Sequence, residues 1–125
     1  MQTPLIIEGT ESSPYIIFNP EENFFSIKGR SYMEDSTPFY QPIISWIKEY
    51  SKNPNKETIF LIDLEYINST TTKHLVRIFM SLEDIVETGY KAKIIWKYYK
   101  EDDLMLQRGH ELDNAINVLF EIKTH

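Results

Sequence analysis

The chain contains no cysteine. Disulfides, thiolate nucleophiles and Cys-based zinc sites are therefore excluded, and nothing in the composition demands an oxidising compartment. Glycine is scarce: Gly9, Gly29, Gly89 and Gly109 lie too far apart to write a G-x-G-x-x-G or Walker A loop. That speaks against a dinucleotide- or NTP-dependent enzyme and leaves no cofactor to expect. Positive charge is also short. Thirteen Lys and Arg face 19 Asp and Glu, a net charge of −6, which disfavours nucleic acid or an anionic membrane as a partner. No apolar run approaches the ~20 residues that span a bilayer, so membrane insertion is not expected. The N-terminus, Met1 to Glu8, lacks the basic and long apolar regions of a signal peptide. The three histidines, His74, His110 and His125, have no metal-ligand spacing, so no metal is expected. A cytoplasmic location fits all of these absences.

What is present is an ordinary globular composition, 42% hydrophobic and 26% charged, over 125 residues. That length fits one domain, residues 1–125. Tyr15–Phe18 and Phe24–Lys28 read as strands of an antiparallel hairpin around the turn-forming Asn19–Asn23. Phe39, Ile43, Trp46, Ile47 and Tyr50 share one helical face, with Ser36 or Thr37 as cap and Pro38 and Pro42 in the first turn. Thr58–Leu64 is apolar without alternation, the pattern of a strand buried on both faces. Leu75, Ile78, Phe79, Leu82, Ile85 and Val86 mark the cleanest amphipathic helix, closed by Thr88-Gly89. Ala92–Trp96 is a strand, Glu101 to Leu112 a weaker helix flawed by Gly109, and Val118–Ile122 a last strand. Gly9–Pro14, Gly29–Pro38 and Ser51–Lys56 read as loops. The order is an N-terminal β-hairpin followed by about three helices alternating with strands. It predicts an α/β fold with a mixed, mostly parallel sheet joined by right-handed crossovers, whose helices need not lie on both faces, since the polar exterior of the first hairpin allows one face to be more open.

The segment richest in possible chemistry is Asn68-Ser69-Thr70-Thr71-Thr72-Lys73, between the Ile59–Ile62 strand and the amphipathic helix. Helix capping accounts for one such residue, because one side chain suffices to bond the free N–H groups of the first turn. It does not account for four hydroxyls in succession. A helix N-terminus also stabilises an anion, and a phosphate placed there adds about −1.5 to −2 charges. The protein's own fold would tolerate that charge, with Lys73 in reach, while a docked partner would be repelled. Pattern alone leaves both readings open.

Other constellations are weaker. A Ser69–His74 nucleophile pair would make the chain a small hydrolase, but no Gly-x-Ser-x-Gly elbow accompanies it, and His74 reads as a cap-region or surface residue. Asp63 and Glu65 flank the hydroxyl run at a strand's C-terminal end, where solvated loop charges are the simpler reading. Tyr98 and Tyr99 could stack on bases, yet the acidic balance points to packing or a protein interface.

Taken in order, Gly9–Pro14, Gly29–Ser36 followed by the Phe39–Trp46 helix, Leu64–Lys73 and Trp96–Tyr99 resemble the SiaC family of small bacterial regulatory phosphoproteins. That family is similar in architecture to the STAS domains of anti-sigma factor antagonists. The resemblance covers nearly the whole chain and implies a STAS-like, non-enzymatic signalling protein that works as a partner switch. It implies a Ser/Thr kinase of histidine-kinase fold that phosphorylates one hydroxyl, and a PP2C-type phosphatase that removes the phosphate. Only the unphosphorylated form would engage a target, which in the SiaC case is a diguanylate cyclase acting in c-di-GMP signalling and biofilm formation. The modified residue follows the Asn of a Tyr-x-Asn motif and is Ser69 here, with Thr70 and Thr71 as alternatives. Family members can carry Thr at that position, so Ser69 is a mild departure. Asn68 would shape the turn and Lys73 lie near the phosphate. STAS-like domains that bind apolar ligands make a lipid- or small-ligand-binding module a further alternative.

Overall fold

The computed structural model describes residues 2–125. The elements run β1 (Leu5–Ile7), β2 (Tyr15–Asn19), β3 (Phe24–Ser31), α1 (Thr37–Tyr50), β4 (Glu57–Ile67), α2 (Ser69–Glu87), β5 (Lys91–Tyr98), α3 (Asp103–Ala115) and β6 (Leu119–Thr124). The six strands form one sheet in strictly sequential order, β1-β2-β3-β4-β5-β6. β1, β2 and β3 pair antiparallel, and β3 to β6 pair parallel.

Sequential order has a consequence. Each helix joins a strand to its immediate neighbour in the same direction across the sheet. Right-handed crossovers of that kind place all three helices on one face. Burial along the strands agrees. In β4, Thr58, Phe60, Ile62 and Leu64 are buried, whereas Ile59 is exposed and Leu61 and Asp63 are half-buried. The expectation that this strand is covered on both faces is therefore corrected. Its run of β-branched and aromatic residues reflects strand propensity, with one face left to solvent.

The core lies between that sheet and the helices. Phe18, Phe25, Phe60 and Trp96 from the sheet meet Ile43, Ile47, Leu75, Ile78, Phe79 and Leu82 from α1 and α2. The Trp96 indole donates a hydrogen bond to the Met105 carbonyl at 2.9 Å, which ties α3 to β5.

Other local readings need correction. Gly29–Ser31 continues β3 instead of opening a loop. Gly29 has φ +119°, accessible to glycine without strain, beside a register shift. Gly29 pairs with Leu64 and Arg30 with Tyr66, so the unpaired extra residue is Glu65 on β4. The bulge leaves Glu65 and Tyr66 outward and turns Ile67 into the core at 4% exposure. α1 buries Tyr40, Ile43, Ile44, Ile47 and Tyr50. Its face is thus rotated from the expected one, because the hydroxyl of Tyr40 finds partners in the interior. Ser36 precedes α1 but makes no side-chain cap bond. Pro42 falls in the second turn, on the exposed side, where solvent reaches the carbonyl its missing N–H leaves free. The short strand β1 was not legible from three apolar residues.

Candidate functional site

The hydroxyl run lies where β4 hands the chain to α2. The bulge and the inward turn of Ile67 set the direction in which the chain arrives. Asn68 is the N-cap, in extended conformation, and its Oδ1 accepts from the Thr71 N–H at 2.9 Å. The same oxygen accepts from the Thr70 hydroxyl at 2.8 Å and lies 2.9 Å from that of Thr71. The Asn68 amide donates to the Met33 carbonyl at 3.2 Å, which fastens the β3–α1 connection to the cap. Ser36 Oγ donates to Thr70 Oγ1 at 3.3 Å, a second tie between the same segments.

The four hydroxyls have different fates. Thr71 is fully buried, and its Oγ1 is 2.7 Å from Ser31 Oγ, which is 2.7 Å from the Tyr40 hydroxyl. Amide and carbonyl oxygens can only accept, and Thr71 Oγ1 faces two of them, Asn68 Oδ1 at 2.9 Å and the Ser31 carbonyl at 3.2 Å, so Tyr40 donates to Ser31, Ser31 to Thr71, and Thr71 to one of these two. Such a chain strengthens each of its bonds. Burial pushes the Tyr40 hydroxyl up to about 12, against the opposing effect of the Ser31 and Thr71 hydroxyls. Thr72 is half-buried and bonds the Asn68 carbonyl. Thr70 is exposed but bonded to Asn68 and Ser36. Ser69 is exposed, is the first residue of α2, and takes part in none of these bonds. Lys73 is exposed one turn further on, at the i+4 position that shares a helix face with Ser69.

Ser69 and His74 are not brought together. His74 is buried with its ring stacked on Tyr40 at 5.0 Å, and its Nδ1 has no hydrogen-bond partner among the described residues. Burial, and then the charge of Arg77, hold its imidazole below the usual histidine range, against a weaker pull from Asp35. Asp63 is 2.6 Å from His125, on the open side of the sheet. Among the described residues no cluster of three metal-type ligands occurs, and no helix is long and apolar enough to cross a membrane.

Beside Ser69 the surface has features the hydroxyl run alone did not reveal. Tyr32 and Tyr66 are exposed, 41% and 44%, and meet edge-on at 5.6 Å. Arg30 and Glu65 form an exposed ion pair at 2.7 Å. The bulge brings these four together, and nothing in the spacing of Glu65 and Tyr66 signalled it.

The family model for SiaC family regulatory phosphoproteins matches residues 7–125. The chain belongs to the SiaC family. An uncharacterized protein of Pseudomonas aeruginosa (strain UCBPP-PA14) is 24% identical over 121 residues, 97% of this chain and 96% of its own length. The crystal structure of apo-SiaC from Pseudomonas aeruginosa has a TM-score of 0.87 at 23% identity, covering 98% of this chain and 99% of that one. SiaC in the crystal structure of the diguanylate cyclase SiaD in complex with its activator SiaC, also from Pseudomonas aeruginosa, gives 0.89 at 24% identity, with 97% and 99% covered. The mixed sheet with its N-terminal hairpin and three helices is thus the fold of the solved SiaC structures. As a member of this family, the chain is a regulatory phosphoprotein.

Proposed function

We propose that this SiaC-family chain is a phosphorylation-controlled partner switch and that the modified residue is Ser69. One observation supports the choice of residue above the others. Of the three candidates, Ser69 has an exposed hydroxyl free of the bonds that hold Thr70, whereas Thr71 is buried at 0% exposure. A kinase must bring the hydroxyl oxygen to the γ-phosphorus, which a buried hydroxyl cannot reach without local unfolding. A phosphate on Ser69 would face the positive end of α2, with Lys73 one turn away, so the fold accommodates it. The cost falls on the partner. Tyr32 and Tyr66 offer exposed aromatic area of the kind that anchors interfaces, and about two negative charges beside them disfavour an apolar or acidic partner surface.

The unphosphorylated chain then engages its target. The target class we propose is a diguanylate cyclase, by likeness to the SiaC that activates SiaD, which would link the chain to c-di-GMP and biofilm-type regulation. A histidine-kinase-fold Ser/Thr kinase would add the phosphate and a PP2C-type phosphatase would remove it, all in the cytoplasm. The chain itself would perform no catalysis. A Ser69-dependent hydrolase finds no support, since His74 is buried against Tyr40 and away from Ser69.

Peptide mapping after incubation with the cognate kinase and ATP should place one phosphate on Ser69, and Ser69→Ala should abolish it. Phosphate on Thr70 or Thr71 in the parent protein would assign the switch elsewhere. Calorimetry against the cyclase should show Ser69→Ala binding as the parent does and the phosphorylated protein at least 10-fold weaker.

A further inference from the structure

No described element covers the side of the sheet away from the helices, and the pairing registers order its side chains into rows across the strands. The middle row runs Ile6, Ile17, Ser26, Leu61, Ile95 and Glu121. Ile6 is 59% exposed, and Ile17, Leu61 and Ile95 are half-buried although no element packs over them. Ser26, small and flanked by larger neighbours, is only 6% exposed and forms a dip in the row. One row towards the strands' N-terminal ends are Ile59, 39% exposed, and Leu119, 72% exposed, with Lys93 between them. The apolar band formed by these rows reaches from β1 to β5, four interstrand gaps or about 19 Å at ~4.8 Å per gap, with Leu119 beyond the Lys93–Glu121 ion pair. Monomeric proteins rarely leave a contiguous apolar patch of that extent without a use for it.

The charge around the band is opposite in sign to that of the whole chain. The row on its other side runs Tyr15, Lys28, Asp63, Lys97 and Lys123. Lys91 pairs in register with Glu57 beyond the Ile59 row. Asp63 is held by His125 at 2.6 Å, and Glu121 by Lys93 at 3.2 Å. Among the described residues, Lys28, Lys91, Lys97 and Lys123 enter no ion pair. Four lysines outside any ion pair therefore border the band, against two carboxylates in the same rows, Glu57 and Asp63. Lys28 and Lys97 also line a hollow of about 270 Å³ with Gly29, Tyr99, Asp63, Glu65 and His125. The net charge of −6 resides mostly on other surfaces, and at physiological salt its influence decays within about 8 Å. An approaching partner feels the lysines.

We infer that this open sheet face is a second docking surface, adjoining the Ser69 surface at Glu65, and that it receives an amphipathic helix of a partner protein. That helix would present an aliphatic ridge to Ile17, Leu61 and Ile95 and carboxylates on its shoulders to Lys28, Lys97 and Lys123. An apolar ridge alone would fit the band but not its border. A basic or polar helix would leave the four lysines unmatched. A helix about 10 Å across bridges the distance from the apolar row to the lysine row.

The test uses a hydrocarbon-stapled, fluorescein-labelled 18-residue helix with leucines along one face and glutamates on both shoulders, and a twin with lysine for every glutamate. Fluorescence anisotropy should show the acidic peptide binding the full chain at least 10-fold more tightly than its twin. Raising the salt from 50 to 500 mM should weaken that binding several-fold. Leu61→Ser should weaken it at least 10-fold, and so should Lys97→Glu with Lys123→Glu, which changes only surface charge and keeps the test meaningful if Leu61→Ser fails to fold. Equal binding of the two peptides, no binding of either, or indifference to the lysine reversals would overturn the inference. So would a dimer by light scattering that Leu61→Ser dissociates, because the face would then belong to a second copy of this chain.

Discussion

At the residue scale, neighbouring hydroxyls of one run do different jobs. Thr71 closes a buried chain of donors, whereas Ser69, two residues earlier, is free at the surface. Thr71→Val keeps the shape but strands Ser31 Oγ without its acceptor. A buried group left unsatisfied costs about 1–3 kcal/mol, so urea unfolding should show a loss in that range. Ser69→Ala, at an exposed and unbonded position, should fall within about 0.5 kcal/mol of the parent. Tyr40 provides a pH test. Its hydroxyl, raised to about 12, stays protonated in the folded chain while the unfolded chain releases its proton near 10. Between those values the unfolded state binds fewer protons, so stability is fully present below pH 10 and falls as pH rises towards 12. The fall should be about 2–3 kcal/mol, and Tyr40→Phe should remove that part of the alkaline loss. His74 shifts the opposite way, so its contribution is present above 6.5 and is lost as pH falls through its lowered value.

At the element scale, Gly109 shows how a local rule and a packing need can disagree. By helix propensity it is a defect in α3, worth about 1 kcal/mol against alanine. In the structure a Cβ at Gly109 would lie 2.7 Å from Trp96 Cδ1, and Trp96 is fixed by its bond to the Met105 carbonyl. Overpacking costs about 1–3 kcal/mol and outweighs the propensity gain. Gly109→Ala should therefore lower the thermal midpoint, whereas a rise would show that the indole can retreat. Gly89 is the complementary case: φ is +97° with nothing within 4 Å, so glycine is there for backbone conformation, and the sequence placed this helix end correctly. The β4 bulge belongs to the same scale. It decides that Glu65 and Tyr66 face out and that α2 starts with Asn68 tied to Met33, and no run of residue types announces it.

At the scale of the whole molecule, sequential strand order puts the three helices on one face and leaves the other bare. The Ser69 surface lies at the C-terminal ends of the parallel strands, as α/β geometry favours. A depression of about 840 Å³ lined by Ile59, Val86, Tyr90 and Leu119 lies at their N-terminal ends, the opposite pole. Because the phosphate would be added at an exposed helix N-terminus, it should act on partners and not on folding. Charge at that position contributes about 0.3–1 kcal/mol in favour of the helix, so the phosphorylated protein should melt at the same temperature or a few degrees higher. A fall of several degrees would mean that the modification works by loosening the fold.

The sequence by itself determined the α/β class, the hairpin, the sites of all three helices and the hydroxyl run at the mouth of α2. These follow from short-range periodicity and capping, which a linear string records directly. Only the tertiary structure decided which hydroxyl is free. Thr71 is buried because Ser31 and Tyr40, far from it in the chain, converge on it through a β3–β4 register that no local pattern encodes. That β4 belongs to a bare sheet face was hidden for the same reason, since whether a strand's second face is covered depends on where other elements cross and not on the strand's own residues.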